Sequence, residues 1–255
     1  MKKEYIFGIL FFSGLWGISE AVLGDALYRA NVPYTSVPLT IIGFIVLSFA
    51  TVYFPQKGTA SIIAACAMLY KFVNAPFFGC HLLGIFMMGL SYDLFFSIFR
   101  ASNKVKLSHA APSMRLLRRY APKGQAPRND EEVSLRAKRS NLISLEILRK
   151  KNVAFSAAAA TYLSYTLFAL MITYIFKHDF WAQAGFSKVL RHVGIGGSMA
   201  ALGCAVLVPL SYRIGEQLKD NFATPFRLRL QIAPGSISVL TIGLWAFSLV
   251  AYFIK

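Results

Sequence analysis

Charge is scarce in this chain, and acidic charge scarcest. Asp, Glu, Lys and Arg together make 15% of 255 residues, and only 11 of them are Asp or Glu. A soluble domain carries roughly 25% charged and about 45–50% apolar residues. Here the hydrophobic share is 56% and the mean hydropathy +0.53, which excludes an ordinary soluble globule. Cysteine is also sparse. Cys66, Cys80 and Cys204 lie in or beside apolar runs at no metal-like spacing, so they read as small buried hydrophobes. The chain has no phosphate-binding Gly-x-x-x-x-Gly-Lys-Ser/Thr loop, no His-Glu-x-x-His, no Cys-x-x-Cys and no Gly-x-Ser-x-Gly elbow. Its four histidines, His81, His109, His178 and His192, are scattered. No catalytic residue, metal site or cofactor is therefore expected, and the chain reads as a non-enzyme.

What is present is a series of long apolar runs. A bilayer core of about 30 Å needs about 20 apolar helical residues per crossing. Seven candidate segments stand out: Tyr5–Gly24, Val37–Phe54, Thr59–Val73, Gly79–Phe99, Val153–Phe176, Val193–Tyr212 and Ser236–Ile254. They are continuous rather than alternating, which excludes a strand barrel. The expected fold is an all-α integral membrane protein, a bundle of six or seven transmembrane helices. The count is open because the third run is short and ends in Lys71, Asn74 and Pro76. The start, MKKEYIFGILFFSGLWG, has the basic and apolar regions of a signal peptide but no small-x-small cleavage site, so an uncleaved first span is expected.

The net charge of +16 suggests nucleic acid at first sight, but its distribution points to a membrane. Thirteen basic and four acidic residues fall between Ala101 and Asn152. With a cytoplasmic N-terminus, 21 of the 27 Lys and Arg lie inside, as the positive-inside rule requires. The chain thus divides into a four-span half (1–100), a basic cytoplasmic segment (101–152) and a three-span half (153–255). The middle segment, with Pro112, Pro122 and Pro127, has too little apolar content to fold alone. Its stretch NDEEVSLRAKRSNL resembles peptides translated from dispersed genomic repeats, which implies a tolerated insertion; the alternative is an arm contacting anionic lipid.

Several residues could carry chemistry. Ser13, Gly17 and Ala21, four apart, form a small-residue stripe on the first span, suited either to packing within the chain or to docking a partner helix. Gly196, Ala200, Gly203 and Cys204 make a second small-residue face on the sixth span. Glu20 is an intramembrane carboxylate and hence a functional candidate. Arg29, Lys71, Asn74 and His81 fall on the same outer side, with Trp181 and Gln183 in a later outer loop. Together Glu20, Arg29, Lys71, Asn74, His81 and Trp181 are expected to line an outward pocket for a small polar or heteroaromatic solute. Asp93, near the inner end of the fourth span, suits a structural pairing with Arg100 or a backbone donor, or alternatively a proton relay with Glu20.

The stretches GLWGISEAVLG, VPLTIIGFIVLS and IIAACAMLYKFVNAPFFGCHLLGIFMMGLSYDLFF resemble the substrate-binding S components of energy-coupling factor transporters. The resemblance implies a multi-pass bundle in a bacterial cell membrane that captures a vitamin-like solute on its outer side. It implies a capping loop over Asp25–Ser36, and docking of Ser13, Gly17 and Ala21 onto a transmembrane T component that works with ATPase subunits. The His near the N-terminus that marks the metal-specific branch is absent. The alternative from another class is a non-transporting scaffold or assembly factor whose small-residue helix faces bind a partner complex. A transporter should gather the outer polar groups on a cavity, whereas a scaffold should scatter them.

Overall fold

The computed structural model describes residues 3–74, 80–98, 152–183, 185–221 and 239–247, and all regular structure among them is helical. Helix α1 covers Lys3–Arg29, α2 Ser36–Tyr53 and α3 Thr59–Asn74. Helix α4 is Cys80–Ile98, and α5 is Asn152–Ile175. Two short helices follow, α6 (Asp179–Ala182) and α7 (Gly185–Arg191), then α8 (Ser198–Asn221) and a final piece, α9 (239–247). The segment 101–151, Arg100 and the side chain of Asn74 lie outside the described residues, and so do the expectations placed on them.

Among the described residues, five helical stretches are long and apolar enough to cross a bilayer: α1, α2, α4, α5 and the continuous rod Gly185–Lys219. The chain is therefore a multi-pass, all-α membrane protein. The apolar part of α3, Thr59–Lys71, is shorter and reaches about 20 Å. Helix faces turned away from the bundle carry exposed apolar stripes, such as Met199, Leu202, Val206 and Leu210 on α8 and Leu90, Leu94 and Ile98 on α4. Acyl chains suit such faces; water does not.

Side-chain pairs fix how the helices run. Tyr5 meets Thr59, Gly17 meets Tyr70 and Glu20 meets Lys71, so α1 and α3 are parallel. Ile41 meets Gly203, Ser48 donates to the Val208 carbonyl and Lys219 donates to the Val52 carbonyl, so α2 and α8 are parallel. The α2–α8 pairing joins the N-terminal four-helix segment to the C-terminal one in a single bundle. At its centre Trp16 is fully buried. A Cβ on Gly43 would stand 2.8 Å from the Trp16 ring and 2.7 Å from the Met88 methyl, so only glycine lets α1, α2 and α4 close here.

The bundle has two distinct ends. At one end α1 runs past the expected Gly24 because the Asp25–Arg29 pair, four residues apart and 2.9 Å long, supports its exit turn. The helix then stops at Asn31, which is left-handed (φ 51°). The Val32 amide donates to the Leu27 carbonyl and the Asn31 amide to that of Tyr28, a Schellman cap. At the other end, the carboxylate of Asp93 accepts from the Ser61 amide at 2.7 Å and the Ser61 hydroxyl at 2.6 Å. Asp93 thus takes a backbone donor and caps the first turn of α3, where a negative charge also meets the positive end of the helix dipole. Asp93→Ala should cost about 1 kcal/mol and lower the thermal midpoint in detergent. Ser61→Ala, which keeps the backbone donor, should lower it less; equal losses would mean that the amide contact contributes little.

Candidate functional site

The α1–α2 connection and the segment between α5 and α8 form a cleft at the end where α1 is capped. Sequence reading expects a plain loop between the fifth and sixth spans. Instead α5 closes in a π turn at Met171–Ile175, reverses at left-handed Lys177 (φ 49°), and leads into α6 and α7. A second π turn, His192–Gly197, joins α7 to α8. Its composition, HVGIGG, explains its position, because Gly196 and Gly197 let the backbone pass close to the Tyr165 ring. π turns are rare and recur at functional sites. The two here bracket the same connection.

Two rings of the cleft lining, Trp181 and His192, are held by two more, Tyr165 and Phe168. His192 stacks on Tyr165 at 4.8 Å between centroids and meets Trp181 edge-on at 5.1 Å. Phe168 stands edge-on to Trp181 at 5.5 Å and lies 5.5 Å from His192. The Tyr165 hydroxyl reaches Thr40 and Ser36 at 3.4 Å each, which ties the cluster to α2. In front of these rings opens a cleft of about 580 Å³, lined by Pro33 and Tyr34 from the α1–α2 connection and by Trp181, Ser187, Lys188, Arg191 and His192. The Lys188 ammonium sits 5.0 Å above the Trp181 ring, a cation–π contact.

The expected site residues separate into two groups. Trp181 is in the cleft. Glu20 and Lys71 are not: they form a buried ion pair, Nζ to Oε2 3.0 Å, with side chains 8% and 11% exposed respectively. His81, on the first turn of α4, lies within electrostatic reach of both. Tyr165 stacks on the cleft residue His192. Arg29 is 73% exposed and pairs with Asp25. Gln183 ends α6 and is exposed. Tyr34, Lys188, Arg191 and His192 also line the cleft and lie outside the pocket expected from the sequence. The signal available was the run KVLRH after Trp181, two cations one helical turn apart next to an aromatic.

The Ser13–Gly17–Ala21 stripe faces inward over most of its length. Ser13 is fully buried and donates to the Leu10 carbonyl. Gly17 lies against Tyr70 of α3, whose Cδ1 and Cγ are 2.5 Å from where a Cβ would stand. A partner helix reaching Gly17 would have to displace Tyr70; Ala21 remains half-buried. Gly203, on the second small-residue face, is covered by Ile41.

Comparison of the chain with protein-family models, with curated proteins and with solved structures finds no match.

Proposed function

We propose that the chain is the membrane-embedded solute-binding subunit of a transporter in a bacterial inner membrane. Its N-terminus is cytoplasmic, it takes a small vitamin-like solute at its outer end, and a partner complex supplies the energy. The observation that carries this reading is the cleft itself. A concavity of about 580 Å³ falls within the roughly 300–1,000 Å³ of small-molecule sites, and a preformed ring wall and two cations line it. It lies at the end of the bundle opposite Lys57, Asp93 and the C-terminal end of α8. The positive-inside bias makes that opposite end cytoplasmic, which leaves the cleft facing out. Tyr70 and Ile41 of this chain cover Gly17 and Gly203, which counts against partner docking on those faces in the transporter and the scaffold reading alike and leaves half-buried Ala21 as the open part of the first stripe. Coupling to a transmembrane T component and its ATPase subunits belongs to the same reading.

Protein extracted from native membranes in mild detergent tests it. Mass spectrometry of the denatured sample should release one small molecule in near-stoichiometric amount from the parent chain, and far less from a Lys188→Gln/Arg191→Gln variant that is folded and extracted equally well. Equal release from both, or none from either, would contradict a solute site in the cleft.

A further inference from the structure

We infer that the cleft between the α1–α2 connection and α7 selects a small organic anion that carries a planar ring. This rests on the solute-binding reading and names the class of solute. Charge comes first. Of the cleft's lining residues two are cationic and none is acidic. Among the described residues, Asp25 is paired with Arg29, and Asp179 starts α6 outside the lining. Lys188 and Arg191 are three residues apart on α7, hence on one face and about 5–6 Å apart at Cβ. Side by side, like charges repel, and an anion between them turns that repulsion into attraction. Arg offers a planar donor fork and Lys a point charge, a pairing suited to carboxylate or phosphate.

The ring preference follows from the wall. Trp181, Tyr34 and His192 line the cleft, and Trp181 and His192 are held by edge and stacking contacts with Phe168 and Tyr165. Such a wall loses little conformational freedom when a ligand arrives, which favours a rigid planar partner. The π turn at His192–Gly197 carries His192 into the cleft lining, stacked on Tyr165.

The probe is benzoate, compared with cyclohexanecarboxylate, benzyl alcohol and benzylammonium, in the full chain held in neutral detergent. Benzoate should quench tryptophan emission, and the quenching should vanish in Trp181→Phe. Cyclohexanecarboxylate should bind several-fold more weakly, as loss of ring stacking requires, and benzylammonium not at all. Arg191→Gln, at an exposed position where folding is not at stake, should weaken benzoate about tenfold, and the double variant with Lys188→Gln further. Benzylammonium binding as well as benzoate, or an Arg191→Gln variant that binds like the parent, overturns the proposal. A lipid headgroup is the other source of an anion. In nanodiscs the benzoate affinity should be the same with phosphatidylcholine alone and with phosphatidylglycerol added; abolition by phosphatidylglycerol makes the cleft a lipid site and also overturns it. A neutral or cationic metabolite retained in the cleft would refute the anion class and leave the solute-binding reading standing. No benzoate binding together with no retained metabolite would overturn the solute-binding reading itself.

Discussion

Removing one member of the Glu20–Lys71 pair destabilises the protein more than removing both. Each charge is buried in a bundle surrounded by hydrocarbon, and the 3.0 Å contact is what makes that burial tolerable. Glu20→Gln leaves the ammonium of Lys71 without its counter-charge, and Lys71→Met leaves the carboxylate of Glu20 without its own. Breaking a buried pair from one side costs about 3–5 kcal/mol, while replacing both partners by groups of similar volume is often near neutral. The double variant should therefore melt closer to the parent than either single variant does. Thermal unfolding of all four proteins in one detergent reads the coupling. Additive losses in the double variant would show that the two charges are stabilised by something other than each other.

Gly17→Leu should be comparably severe for a steric reason. Tyr70 has nowhere to go: it is fully buried, its hydroxyl donates to the Leu244 carbonyl at 2.9 Å, and its ring sits edge-on to Trp245 at 5.1 Å. Trp245 in turn donates to the Leu10 carbonyl at 3.2 Å, so α1, α3 and α9 share one contact. Inserting a branched side chain into such packing costs about 1–3 kcal/mol and often more. The expected result is a large drop in folded yield, with Gly17→Ala intermediate. Ala21→Leu, at a half-buried position, should fold. It is also the variant that separates the proposed partner docking from internal packing, because Ala21 is the part of the stripe that this chain leaves half-buried. A Gly17→Leu protein as stable as the parent would mean that Tyr70 can move aside.

The residues show why some of this was legible in the sequence. Runs such as Val37–Phe54 and Val153–Phe176 announce spans because a bilayer permits few alternatives to a long apolar helix. The shortness of α3 was visible in Lys71 and Asn74. Glu20 and Lys71 both stand out in the sequence, on the same side, but nothing there pairs them directly. Lys71 is 51 residues away and comes alongside only because α1 and α3 run parallel, which depends on packing rather than periodicity. The cleft was the least legible feature. Its aromatic and cationic residues occur in the sequence, but their convergence depends on two π turns and a Schellman cap. No hydropathy pattern signals a π turn. Trp181 was picked out for its side of the membrane; Lys188 and His192 were passed over because their helix was read as loop.

The most direct measurement of the central claim, an outward-facing solute site in the cleft, is the labelling of a Ser187→Cys chain in intact cells by a membrane-impermeant maleimide. The parent, with its three native cysteines, supplies the background. Ser187 is exposed and lines the cleft beside Lys188. The introduced thiol should react without permeabilisation, and benzoate should slow the reaction while benzylammonium leaves it unchanged. Labelling only after permeabilisation, or labelling that no solute slows, would contradict the account.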